Sequence, residues 1–205
     1  MGQYSDVIPV TITADTVALD ADGISVAASV GNNAALVIGG ALADSGSVTL
    51  SHGRLITILS AGDDSSKSFT VVGTDVNGDS QTETVTGANA GTATSSKYFK
   101  TIASITAVGN PAGNVSAGIN ASAAAAIFTM RSRLKGMFLT STATAGEIDF
   151  LTSSPSGTSI MKLNSVSDAD ATRDVTIPNE GVVFTSGIYI QYTVSTFLTM
   201  TVFHA

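Results

Sequence analysis

The sequence predicts an all-β protein: two small antiparallel β-sandwich domains in tandem, Ig-like or jelly-roll-like, covering residues 1–130 and 131–205. Three observations carry this. Short runs rich in β-branched residues alternate with period two, the pattern of half-buried strands. Gly, Asp, Asn and Ser separate them at intervals of roughly 8–12 residues, the spacing of sandwiches and barrels. No long stretch has the 3.6-residue periodicity of an amphipathic helix. The composition agrees: 27 Thr and 26 Ser stand beside 27 Ala and 20 Gly in 205 residues, with 43% hydrophobic and only 12% charged. That hydrophobic share separates the chain from disordered sequences, which combine low hydrophobicity with high net charge.

In chain order, Ile8-Pro9-Val10-Thr11-Ile12-Thr13 alternates, and Pro9 suits a sheet edge because proline donates no ladder hydrogen bond. The segment reads either as a first edge strand or as an arm laid across a neighbouring molecule. Tyr4 and Pro9 are its candidate interface residues. Val48–Leu50 and Leu55–Leu59 read as strands flanking a turn at Ser51-His52-Gly53-Arg54. Phe69–Val72 and Gln81–Thr86 form a hairpin around Asn77-Gly78, residues that tolerate the positive φ of a tight turn. Strands follow at Tyr98–Thr106, after the turn-rich Gly87-Ala88-Asn89-Ala90-Gly91, and near Asn114–Ile119.

The join from Ala121 to Lys135 reads as a connector, since its Ala run is too short to trust as a helix. The second domain then offers strands at Met137–Thr140, Glu147–Leu151, Ser159–Leu163, Val175–Ile177, Val182–Phe184, Ile188–Val194 and Phe197–Phe203. Arg131, Arg133 and Lys135 alternate, which on a strand directs all three to one face. They read either as charges protecting a sheet edge or as a contact for an acidic partner or the other domain, and are the remaining candidate interface residues.

Composition narrows the chemistry. A net charge of −7 with nine Lys plus Arg leaves few cations to neutralise phosphates, so nucleic acid is not an expected partner. The absence of Cys excludes disulfides, thiolate metal sites and thiol nucleophiles. No apolar run approaches the roughly 18 residues of a membrane-spanning helix. The start lacks the cationic and apolar stretches of a secretory signal, and Asp6 stands where a myristoylation pattern wants Ser or Thr. The chain is expected to stay soluble in the cytoplasm where it is made.

Both histidines, His52 and His204, read as surface residues without an orienting partner. Ser159-Ile160-Met161-Lys162 has the Ser-x-x-Lys spacing of penicillin-recognising enzymes but reads as a strand, where that chemistry needs a helix. Asp75-Val76-Asn77-Gly78-Asp79 fails the calcium-loop pattern, with Ser80 and Thr86 where Gly and Glu are required. It remains, with the acidic turns Asp20-Ala21-Asp22-Gly23 and Asp168-Ala169-Asp170, a weak calcium candidate. Neither a catalytic residue nor a cofactor is expected. Tyr189 and Tyr192 read chiefly as core, with a carbohydrate platform as the sharper alternative.

Three stretches carry a resemblance. They are Ile56-Thr57-Ile58-Leu59-Ser60-Ala61-Gly62-Asp63-Asp64-Ser65, the run Phe69 to Gly78, and Glu83-Thr84-Val85-Thr86-Gly87-Ala88-Asn89-Ala90-Gly91 leading to Lys97-Tyr98-Phe99-Lys100-Thr101-Ile102. Together they resemble a module of tailed-bacteriophage virion structural proteins. Pro178-Asn179-Glu180-Gly181-Val182-Val183-Phe184 and Val202-Phe203 likewise resemble small β-domains of phage particles. The resemblance covers about half of the chain. It implies a non-enzymatic capsid decoration, or cement, protein on the virion surface, assembled in the host cytoplasm. Its expected partners are the major capsid protein and further copies of itself, with a trimer as the expected oligomer. The alternatives are a tail component (tube, adaptor or fibre) and a module that binds host glycans.

Overall fold

The computed structural model describes residues 6–13, 20–120, 124–193 and 196–205. Tyr4 lies outside them. Every regular element among the described residues is a β-strand, and all pairings are antiparallel, so the all-β expectation holds. No helix among them is long and apolar enough to cross a membrane.

Two compact units divide the chain, one Ala18–Ser122 and the other Met1–Val17 together with Ala123–Ala205. This differs from the expected division at 130. The reason lies in backbone pairing: β1 (Ile8–Thr13) pairs with β16 (Phe197–His204), from Ile8 opposite His204 to Thr13 opposite Thr199. A strand at the start of the sequence thereby completes the C-terminal unit, and Ala18–Ser122 is an insertion between β1 and the rest of that unit.

In the inserted unit the strands lie in the order β6 (Ser80–Thr86), β5 (Ser68–Thr74), β7 (Thr92–Val108), β4 (Ser47–Ser60), β8 (Asn114–Ile119) and β2 (Asp20–Ser29), with β3 (Ala43–Asp44) on β4. Ile24, Val48, Ile56, Ile58, Phe69, Val71, Phe99, Ile102, Ile105 and Val115 are among its core residues. Two expected turns are strand instead. Asp20-Ala21-Asp22-Gly23 opens β2, with Asp20 opposite Ile119. The expected turn at 51–54 is the middle of the 14-residue β4. Along β4 the even positions Val48, Leu50, His52, Arg54, Ile56, Ile58 and Ser60 are all buried, so the alternation runs straight through the polar interval. Register shifts between Thr49 and Arg54, and between Leu55 and Thr57, bend the strand there.

The β5–β6 hairpin matches the reading of Phe69–Thr86. Its loop is longer than a two-residue turn, spanning 75–79. Asp75 Oδ1 accepts from Asn77 N (2.8 Å) and Asp79 N (3.0 Å), and Gly78 adopts φ +89°. Only glycine takes that conformation without a steric penalty.

The other unit is a two-layer sandwich. One sheet has the order β1-β16-β10-β13, where β10 is Ser132–Ser141 and β13 is Thr172–Thr176; β14 (Val182–Phe184) also pairs β10. The facing layer runs β12 (Thr158–Asn164), β11 (Glu147–Thr152), β15 (Ile188–Tyr192) and β9 (Ala124–Phe128). Ile12, Leu134, Met137, Leu139, Met200 and Val202 from the first sheet share a core with Ile127, Ile148, Phe150, Ile188 and Ile190 from the second. The connector expected from Ala121 to Lys135 is corrected here. Ala124–Phe128 is a strand on β15, with Ala125 opposite Ile190, and β10 begins at Ser132.

Candidate interaction surface

The outward face of the β1-β16-β10-β13 sheet gathers most of the candidate interface residues. Along β10, Met137 and Leu139 are fully buried while Phe138 between them is 40% exposed, as alternation requires. Strand register then builds three ranks across the sheet. Thr13, Thr199, Thr140 and Thr172 form one; Thr11, Thr201, Phe138 and Asp174 the next; Pro9, Phe203, Gly136 and Thr176 the third. The Thr11 and Thr201 hydroxyls are hydrogen-bonded at 2.9 Å, which ties β1 to β16 through side chains as well as backbone. The central two strands place no formal charge in these ranks. Such a surface costs less to desolvate than one of Lys and Glu.

Cations sit at one end of this face. Arg133 and Lys135 both lie on β10 and both donate to the Glu180 carbonyl oxygen, Arg133 through Nη1 at 3.3 Å and Lys135 through Nζ at 3.0 Å. Lys135 occupies the register shift between Leu134 and Gly136, a bulge that brings it beside Arg133. Arg131 is exposed in the bend just before the strand, so the three do not form one alternating strand row. Pro9 is exposed on β1 opposite Phe203. The structure thus brings Pro9, Arg133 and Lys135 onto one sheet, with β1 as its edge strand. Phe138 and the threonine ranks were not singled out by sequence reasoning. The signal that marks them is Thr-x-Thr at Thr11-Ile12-Thr13 and Thr199-Met200-Thr201, two strands whose pairing no local pattern reveals.

Elsewhere the polar residues are accounted for differently from expectation. Both histidines are buried, not on the surface. His52 is 1% exposed on β4, its Nδ1 2.9 Å from Ser51 Oγ. Burial, with repulsion from Arg54 and Lys100, lowers its pKa from 6.5 to about 3. Arg54 is equally buried and donates through Nη2 to the Asn120 carbonyl oxygen at 2.5 Å. Lys100 donates to the Ser51 carbonyl oxygen, and burial lowers its pKa. His204 packs its ring 4.9 Å from that of Phe128 and lies 3.2 Å from Ser132 Oγ; burial lowers its pKa too.

Ser159 and Lys162 lie on a strand, as expected. Lys162 pairs with Glu147 (2.6 Å) and Asp149 (3.4 Å), while Ser159 Oγ donates to Asp149 Oδ1. Those carboxylates raise the Lys162 pKa, the Glu147 hydrogen bond most, which favours its ammonium form. A cleft of about 230 Å³ opens beside them, lined by Glu147, Asp149, Gln191, Tyr192 and Thr193. Tyr192 is buried edge-on against Phe197, rings 4.9 Å apart, while Tyr189 is half-buried. Among the described residues no group of three or more His, Cys, Asp or Glu is placed to hold a metal ion. The Asp75 loop directs its carboxylate to its own backbone amides.

Comparison of the chain with protein-family models, with curated proteins and with solved structures finds no match.

Proposed function

We propose that the protein is a non-enzymatic structural component of a tailed-phage particle, a decoration protein that binds and stabilises the major capsid lattice. The observation that carries this reading is the outward face of the β1-β16-β10-β13 sheet: ranks of threonine around Phe138, Phe203 and Pro9, with cations at one end. A flat surface of hydroxyls and apolar groups suits repeated contact between large particles better than capture of a small molecule, which favours a concave pocket. The resemblance of Ile56–Gly78 and Glu83–Ile102 to virion modules points the same way. The test is location. Cryo-EM of purified particles should show this two-unit density at repeated positions on the capsid lattice, and particles lacking the protein should release their genome at lower temperature. Density confined to the tail would replace the capsid reading with the tail one.

A second reading, a glycan-binding module, draws on the cleft beside Glu147 and Asp149. Two carboxylates, an amide and a hydroxyl there match the hydrogen-bonding groups of a sugar. Tyr192, the ring that lines the cleft, is buried, so stacking would draw on Tyr189, which shares a face of β15 with Gln191. Binding on a glycan array that disappears in both Tyr189→Ala and Asp149→Asn would favour it.

A further inference from the structure

We propose that Asn77 is a site of spontaneous covalent modification, at which the Gly78 backbone nitrogen displaces the side-chain amide, and that this conversion unlatches the loop of the β5–β6 hairpin. It goes beyond the capsid reading and does not depend on it, since the chemistry lies within the chain. Asn77 is the one asparagine of the sequence followed by glycine. The attacking nitrogen belongs to the next residue, so what that residue carries sets the access. Glycine has no side chain and is the least restricted residue in φ and ψ. The loop adds open space: Gly78 is exposed, and a Cβ built on it would meet no atom within 4 Å. Other asparagines are worse placed. Asn110 precedes Pro111, whose nitrogen has no proton to lose, and Asn114 precedes the buried, β-branched Val115.

Two hydrogen bonds oppose the attack, and both are long. Gly78 N donates to the Asp75 carbonyl oxygen at 3.2 Å, and Asn77 Nδ2 donates to Asp75 Oδ2 at 3.3 Å. These lie at or past the far end of the ordinary N–H···O range. Both are confined to the loop 75–79, so they open without unpairing β5 from β6. The steps balance with water as the co-reactant. Gly78 N gives its proton to hydroxide and bonds to Asn77 Cγ. The Cγ–Nδ2 bond breaks, and Nδ2 leaves as ammonia from a cyclic imide. Water then opens the imide. Attack at Cγ leaves an aspartate at position 77; attack at the main-chain carbonyl leaves an isoaspartate, with the backbone routed through Cβ.

The structure says what the conversion does. Asp75 is the latch of the loop: Oδ1 accepts from Asn77 N at 2.8 Å and Asp79 N at 3.0 Å, while Oδ2 accepts from Asn77 Nδ2. Either product puts a carboxylate in place of that donor, and like charges this close repel. Asp75 then turns away from its two amides. The loop opens at the start of β6, the strand that ends the order of its sheet, while the β5–β7 pairing behind it is untouched.

Incubation of the folded full chain in mildly alkaline buffer, followed by peptide mapping in a mass spectrometer, tests the chemistry. Position 77 should gain the mass of an amide turned acid, roughly tenfold or more ahead of every other asparagine, as its glycine neighbour allows. Part of the product should be isoaspartate, and the rate should rise with pH because the attacking nitrogen must lose its proton. Asn77→Gln, whose longer side chain enlarges the ring to be closed, should stay unmodified. Hydrogen exchange tests the consequence. Asn77→Asp should lose protection at the amides of residues 77 and 79 and keep it at Phe69 and Val71. Adding Asp75→Asn restores one amide and one carboxylate to the pair, with positions exchanged, and should recover that protection; misfolding cannot produce this rescue. An Asn77 that outlasts the other asparagines would overturn the proposal. So would Asn77→Asp with unchanged protection at 77 and 79, or a loss that Asp75→Asn does not repair.

Discussion

His52 is a base held neutral inside a strand, and that makes it a source of acid sensitivity. Its pKa falls from 6.5 to about 3 through burial first, then through Arg54 and Lys100. Between those values the unfolded chain binds a proton that the folded chain refuses, so stability declines as pH falls from about 6.5 towards 3. The full effect is on the order of 5 kcal/mol. His52→Gln should flatten the dependence of Tm on pH in that window; an unchanged slope would show that other groups govern it. At the hairpin, Asp75 holds the amides of Asn77 and Asp79. Asp75→Ala should cost about 1–2 kcal/mol in denaturant unfolding. Single residues were the least legible scale in the sequence. A histidine beside Gly53 resembles a turn residue until the even-numbered alternation from Val48 to Ile58 is followed through it.

Among elements, β9 shows tertiary context overriding local preference. Alanine is the strongest helix former, yet Ala124, Ala125 and Ala126 lie in a strand, with Ala125 fully exposed to the sandwich core and closed to solvent. The value of Ala125 is its small volume beside Ile190 in that core. Ala125→Leu should therefore destabilise by about 1–3 kcal/mol through overpacking, whereas the same change at an exposed site would be near neutral; equal effects would refute the packing account. β4 teaches a related lesson. Two short strands with a turn between them are, in fact, one strand bent at two register shifts. The hairpin β5–β6 and strands β8, β11, β12 and β14 were legible because alternation and turn residues are both local there. Gly73 marks another bulge: a Cβ would meet the Thr101 carbonyl oxygen, so Gly73→Ala should shift or weaken the β5–β7 register, visible as lost amide protection at Thr101.

For the whole molecule, the chain's order and its spatial order diverge at β1. Ile12 on that strand is fully buried in the core of the C-terminal unit and contributes nothing to the core of the inserted one. Deleting residues 1–13 should thus remove about 3–4 kcal/mol from the unit that holds β16. Hydrogen exchange should show protection falling at Phe197–His204 while Phe69–Val71 keep theirs. Uniform loss across both units would count against this division of the chain. The same strand supplies Pro9, Thr11 and Thr13 to the outward face of that sheet.

The sequence by itself determined the all-β class, most strand positions in the C-terminal half, and the low-charge, hydroxyl-rich character of the surface. These follow from neighbours two residues apart and from turn chemistry, which are local. Only the tertiary structure decided that residues 8–13 complete a sheet with 197–204, that His52 and His204 are buried, and that Thr, Phe and Pro from distant strands share one face. Strand pairing across nearly 190 residues is set by which register buries Ile12, Met200 and Leu139 together. That is a property of the packed core, and no segment of the chain contains it.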